Sequence, residues 1–191
     1  MPPIPEPRHS ATTLRRRLER RDLAASRVIA ESLPHPRWFT MPLGLLSLSA
    51  NYGFLWFAIA AVPWACDAPR ALRTFILAAG SVLGAEIVTG IVKRRIGRQR
   101  PPVADPEATQ QIPLPHSHSF PSSHASMGMA GLLTMGWLYP GWLPALATLV
   151  AVLAFSRVYL GVHYVADVLA GLVFGTLLGA VFVALFATLP T

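Results

Sequence analysis

"ASMGMAGLLTMGWLYPGWLPALATLVAVLAF", residues 125–155, runs for 31 positions without a charged side chain. A helix crosses the roughly 30 Å hydrocarbon core with about 20 apolar residues, so this run is too long for one crossing. "YPGW" (139–142) divides it, because proline beside glycine favours a turn, and the stretch predicts a tight helical hairpin in a membrane. Working outward, three more stretches repeat the pattern. Met41 to Cys66 carries no charge, with Leu46 to Ala65 as its densest part; Ala71 to Val92 carries only Arg73 near one end and Glu86 inside; Val168 to Leu189 carries none. The expected fold is all-α, a polytopic membrane helix bundle of about five transmembrane helices. Gly80 with Gly84, and Gly171, Gly175 and Gly179, form small-residue stripes at helical spacing that predict close packing inside the bundle in preference to a homodimer.

Composition agrees with that class. The chain of 191 residues is 53% hydrophobic and 13% charged, far from an ordinary soluble domain. Basic residues are clustered: eight arginines fall in 1–40, five Lys/Arg in 93–100, and only Arg70, Arg73 and Arg157 lie elsewhere. A single cysteine, Cys66, excludes an intrachain disulfide and a thiolate metal cluster.

Two parts follow. Residues 1–40 hold a disordered, proline-rich start and then "LRRRLERRDLAASRVIAESL" (14–33), which predicts a basic, interfacial amphipathic helix against the plainer reading of a solvated tail. No apolar segment with a cleavage site follows the arginines, so a secretory signal does not fit. The arm is too short and too poor in aromatics to suggest nucleic acid. Residues 41–191 form the membrane domain. The positive-inside rule places the N-terminus in the cytoplasm, with residues 93–100 and 156–163 on the same side.

That side gathers the unusual chemistry. Lys93 and Arg100 follow the second span, His124 opens the third, Arg157 closes the fourth, and His163 with Asp167 opens the fifth. His163 and Asp167, four apart, fall on one helical face, where a carboxylate that accepts one ring N–H leaves the other nitrogen as an oriented base or nucleophile. Ionisable groups at membrane depth are costly and mark function. Three cations at one mouth call for an anion, and arginine forks match phosphate oxygens. "FPSSHAS" (120–126) adds a helix start with hydroxyls and backbone N–H groups. Together these predict phosphoryl transfer through a phosphohistidine. His116, His118 and His124 could suggest zinc, but tight structural sites recruit cysteine or a fourth ligand, and a flexible Pro/Ser/His loop is the expected reading. Glu86, seven before Lys93, is read as an interhelical hydrogen-bonding group rather than a partner of the basic cluster.

"KRRIGRQRP" (93–101), "PSSH" (121–124) and "SRVYLGVHYVAD" (156–167) resemble the three motifs of the type 2 phosphatidic acid phosphatase family, membrane lipid phosphatases related to vanadium haloperoxidases. The resemblance covers residues 46–190. It implies that His163 attacks phosphorus, Asp167 orients it and His124 protonates the leaving oxygen, while Lys93, Arg100, Ser122, Ser123 and Arg157 hold the phosphate. It implies no cofactor or metal, a lipid phosphate as the partner, and a site that opens sideways to lipid; the arginine asymmetry places that site at the cytoplasmic face. The family has glycine where this chain has Ser123, which puts the geometry of the phosphate loop in question. In brevity and composition the chain resembles actinobacterial members acting on polyprenyl-linked phosphates such as decaprenylphosphoryl-5-phosphoribose; phosphatidylglycerophosphate, phosphatidic acid and undecaprenyl diphosphate are the other expected candidates. The rival readings are an inactive lipid-binding scaffold, for which only Ser123 argues, and an anion transporter or channel, which leaves the His–Asp spacing unexplained.

Overall fold

The computed structural model describes residues 9–66 and 71–188, with side chains from residue 17 onward. The proline-rich start lies outside the described residues. Every regular element in them is helical: α1 (His9–Glu31), α2 (Arg37–Ser49), α3 (Phe54–Ala65), α4 (Ala71–Ile96), α5 (Pro101–Ala104), α6 (Ser123–Leu138), α7 (Leu143–Tyr159) and α8 (Val165–Ala187).

The long uncharged run breaks where its composition says it should. A single 3₁₀ turn, Pro140–Trp142, separates α6 from α7, and the rings of Tyr139 and Trp142 stack across it at 4.9 Å. Helix α6 is the centre of the bundle. Most of its residues are buried, and α4, α7 and α8 surround it. Approach of α8 depends on glycine: a Cβ on Gly175 would run into the Ser126 carbonyl, and Gly171 and Gly179 meet α6 one turn to either side. The stripe therefore packs inside the bundle, as expected. The Gly80–Gly84 notch on α4 is filled by the Phe182 ring of α8. On the opposite face of α8, Leu169, Val173, Leu177, Val181 and Leu185 stand exposed at intervals of four, an apolar stripe suited to lipid.

One span departs from the expected continuous helix. Residues 37–65 form two helices, α2 and α3, bent by 60°. At the break Tyr52 (φ 52°) and Gly53 (φ 85°) take left-handed conformations that the α-helical ladder cannot include. A Cβ on Gly53 would collide with Val82 of α4, so glycine allows both the turn and the contact. The segments Ala71–Ala104, Pro140–Tyr159 and Val165–Ala187 are each long and apolar enough to cross a membrane, and the bent α2–α3 pair makes a fourth. Helix α6, at 16 residues, is about 24 Å long, short of the ~30 Å core. It lies enclosed by longer neighbours.

The basic arm is helical as expected, and its inner face docks on the protein. Asp22 and Ser26 accept hydrogen bonds from the Ala166 and Val165 N–H groups at 2.9 and 3.0 Å, which caps the start of α8 from outside. Ile29 packs against two buried clusters, one joining α6, α7 and α8 and one joining α2 to the end of α7, while Arg17, Arg20 and Arg21 face outward.

Candidate active site

Each expected site residue is carried to one end of the bundle by the end of a helix: Lys93 by the last turn of α4, Ser123 and His124 by the first turn of α6, Arg157 by the last turn of α7 and Asp167 by the first turn of α8. All eight are buried, including Arg100, Ser122 and His163 on the connecting segments.

His163 and Asp167 meet, though not along one helix. Helix α8 begins at Val165, so the imidazole comes from the turn before it while the carboxylate sits in its first turn. Asp167 Oδ2 accepts the His163 Nδ1–H at 3.3 Å and the Tyr164 N–H at 3.0 Å. With the proton on Nδ1, the lone pair belongs to Nε2, where an Arg100 Nη1–H donates at 3.1 Å. Burial first, then the charges of Arg100, Arg157 and Lys93, hold this imidazole well below the ordinary histidine range. It is a neutral ring with its free nitrogen directed at a guanidinium.

The cations are held by backbone and hydroxyl oxygens. Arg100 donates to the Val162 carbonyl at 2.7 Å and the Ser117 carbonyl at 2.9 Å; Lys93 Nζ reaches the Ser117 hydroxyl at 3.5 Å. Arg157 donates to the Ser47 hydroxyl. Its Nε and the Ser122 hydroxyl are buried without a hydrogen-bond partner, two donors whose burial is costly until an acceptor arrives. His124 Nε2–H donates to the Ser47 carbonyl at 3.0 Å, so that nitrogen carries the proton.

Ser123 stands in regular helix and needs no left-handed dihedral: among described non-glycine residues only Tyr52 has a positive φ. Its hydroxyl pairs with Thr89 of α4 at 3.0 Å, so the side chain absent from the family's glycine is engaged sideways. His116 and His118 remain exposed on the loop while His124 is buried. Glu86 Oε2 is buried without a partner, so the expected interhelical hydrogen bond is not made at that oxygen.

Four participants were not singled out from sequence. Ser47 comes from α2, Ser117 from the loop after α5, and Arg98 and Asp22 form a second layer: Arg98 Nη1 donates to Asp167 Oδ1 at 2.7 Å and Nη2 to Asp22 Oδ2 at 2.6 Å. Arg98 lay inside the basic motif, a visible signal; an aspartate among the arginines of α1 offered none.

The chain is similar to known proteins in sequence and in fold. Residues 74–190 match the model of the PAP2 superfamily. The chain is 36% identical over 113 residues to the decaprenylphosphoryl-5-phosphoribose phosphatase of Mycobacterium tuberculosis, a match covering 59% of this chain and 62% of that protein. It is 29% identical over 151 residues to the undecaprenyl-diphosphatase of Sulfolobus acidocaldarius, covering 77% and 72%. In fold it is similar to the transmembrane PAP2-type phosphatidylglycerolphosphate phosphatase of Bacillus subtilis, with a TM-score of 0.73 at 20% identity over 91% of this chain and 88% of that one.

Proposed function

This chain belongs to the PAP2 superfamily, and on that premise we propose that it is an integral membrane phosphatase, hydrolysing a phosphate monoester or diphosphate on a lipid through a phosphohistidine at His163, without a metal. One observation carries the reading: Asp167 fixes Nδ1 of His163 while Nε2, bearing the lone pair, faces Arg100 at 3.1 Å. A phosphate bound to Arg100 then stands in front of the nucleophile.

The chemistry balances in two steps. The Nε2 lone pair attacks phosphorus, the P–O bond to the lipid breaks, and the leaving oxygen takes the proton from His124 Nε2 after that N–H exchanges the Ser47 carbonyl for it. Water, losing a proton to His124, then attacks phosphorus, and the P–N bond electrons return to His163 as inorganic phosphate leaves. Lys93, Arg100 and Arg157 neutralise the equatorial oxygens as a metal ion does in other phosphatases, and the Ser122 hydroxyl and Ser123 N–H complete the cradle.

The names of the Mycobacterium tuberculosis and Sulfolobus acidocaldarius relatives both specify polyprenyl-linked substrates, which supports a polyprenyl phosphate as the first to test. The arginine-rich α1 sits at the same end as the site, which supports a cytoplasmic N-terminus and a cytoplasmic-facing site.

The test is phosphate release by the detergent-purified protein from decaprenylphosphoryl-5-phosphoribose, undecaprenyl diphosphate, phosphatidylglycerophosphate and phosphatidic acid, with and without EDTA, beside His163→Ala. The expected result is release that withstands EDTA and falls at least about 10³-fold in the variant. Release unaffected by the variant would remove the nucleophile, and EDTA-sensitive release would overturn the metal-free mechanism.

A further inference from the structure

Asp22 and Arg98 close a ring of contacts behind the His163–Asp167 pair. Asp22 Oδ1 accepts the Ala166 N–H at 2.9 Å, and its Oδ2 accepts Arg98 at 2.6 Å. Arg98 turns its other nitrogen to Asp167 Oδ1 at 2.7 Å, and Asp167 is bonded through the chain to Ala166. The Arg98 guanidinium also lies 3.9 Å over the Tyr164 ring, so it is held on three sides. Asp167 thus spends one oxygen on His163 and the Tyr164 N–H, the other on Arg98.

We infer that Asp22 of the N-terminal helix and Arg98 are positioning residues for His163: together they fix the rotation of the Asp167 carboxylate and set how strongly it holds the imidazole. Two features separate this from simple docking of α1. First, the ring uses both oxygens of both carboxylates, so neither can rotate without losing a charge-assisted bond. Second, Asp22 and Asp167 share one guanidinium, each through its own nitrogen, so the charge on α1 tunes the charge felt by His163 across a partly desolvated gap, where such interactions exceed those in water. Ser26, which also ties α1 to α8 through the Val165 N–H, carries no charge and does not touch Arg98. It is the internal control.

The shared cation gives opposite signs. Arg98→Gln removes the cation, leaves Asp167 wholly to the imidazolium, and moves the acidic limb of kcat/KM to higher pH. Asp22→Asn releases Arg98 toward Asp167 and moves that limb to lower pH. Both lower kcat with little change in KM, about tenfold for Arg98→Gln and a few-fold for Asp22→Asn, as expected for members of one polar network. Asp22→Glu restores kcat, whereas Ser26→Ala lowers the melting temperature and leaves the pH profile in place.

The inference rests on the phosphatase reading for its kinetic readout, so a second readout stands apart from turnover. The ring-nitrogen resonances of ¹⁵N-histidine-labelled protein in detergent, with His163 assigned by its loss in His163→Gln, titrate in the same opposite directions in the two variants. Opposite shifts, by either readout, support the positioning role. If wild type releases no phosphate from any lipid while the His163 resonance still shifts oppositely, the phosphatase reading falls and the positioning role stands. If both variants change only KM or melting temperature and the His163 resonance titrates as in wild type, α1 is merely docked and the inference is overturned.

Discussion

The site is built from two regions that sequence exposes very differently. Residues 93–167 hold the proposed reacting groups at fixed local intervals, and His163 finds Asp167 four positions away. The first 50 residues look like a basic arm and the start of a span, yet Ser47 reaches Arg157 across 110 positions and Asp22 reaches Ala166 across 144. Chemistry that must be adjacent can be written as a motif. Support for it comes from wherever the chain returns, and only packing decides which residue that is.

The contact between Arg157 and Ser47 tests whether the early region merely walls the site. Arg157→Ala removes a cation of the proposed phosphate site and is expected to cut kcat/KM by about 10²–10³. Ser47→Ala leaves the carbonyl that holds His124 but orphans a buried guanidinium N–H, for an expected loss of about tenfold. Phosphate release by both variants, with thermal melts to check folding, measures the two sides of one contact. Wild-type activity in Ser47→Ala would confine function to the motif region.

The same contrast marks what was legible beforehand. The helical hairpin, the glycine stripe and the gathering of eight polar residues at one end of the bundle could be read because period, charge and spacing are local properties of the chain. The kink at Tyr52–Gly53 was not, since "ANYGF" (50–54) sits in an uncharged run where hydropathy alone suggests one helix, and the close approach of Val82 that leaves no room for a Cβ at Gly53 comes from a distant helix. The N-terminal helix was placed by its arginines at an interface, whereas the two residues that seat it, Asp22 and Ser26, are its short polar ones. His163 itself was expected on a helix; the chain instead turns at Gly161 (φ 74°), and α8 starts two residues beyond the histidine.

A pH experiment sharpens the comparison from the motif side. His163 is neutral when folded because burial and three cations disfavour its proton, while in the unfolded chain it titrates near 6.5. Below about pH 6.5 the unfolded state therefore binds a proton that the folded state refuses, and stability falls as pH falls, by up to about 1.4 kcal/mol per unit until the folded value is reached. Above pH 7 the contribution is flat. Thermal melts from pH 7.5 to 5.5 should show a steeper decline in wild type than in His163→Gln, which cannot titrate there. Parallel declines would mean that His163 is charged in the folded protein.

Ser123 lies where the two kinds of residue meet, inside a motif yet different from the family's glycine, and it makes the smallest expected effect informative. Its hydroxyl is paired with Thr89 at 3.0 Å, and Thr89 also donates to the Ala85 carbonyl at 2.8 Å. Deleting the serine side chain thus leaves Thr89 bonded, and a lost neutral hydrogen bond of this kind costs roughly 0.5–1.5 kcal/mol. What the proposed phosphate cradle would use at this position is the N–H at the start of α6, which glycine supplies equally well. Ser123→Gly is accordingly expected to melt a few degrees lower while its phosphate release stays within about threefold of wild type, a change below 1 kcal/mol. A tenfold rise or fall in rate would show that the hydroxyl enters the phosphate site after all, and that the departure from glycine alters the chemistry rather than the packing of α6 on α4.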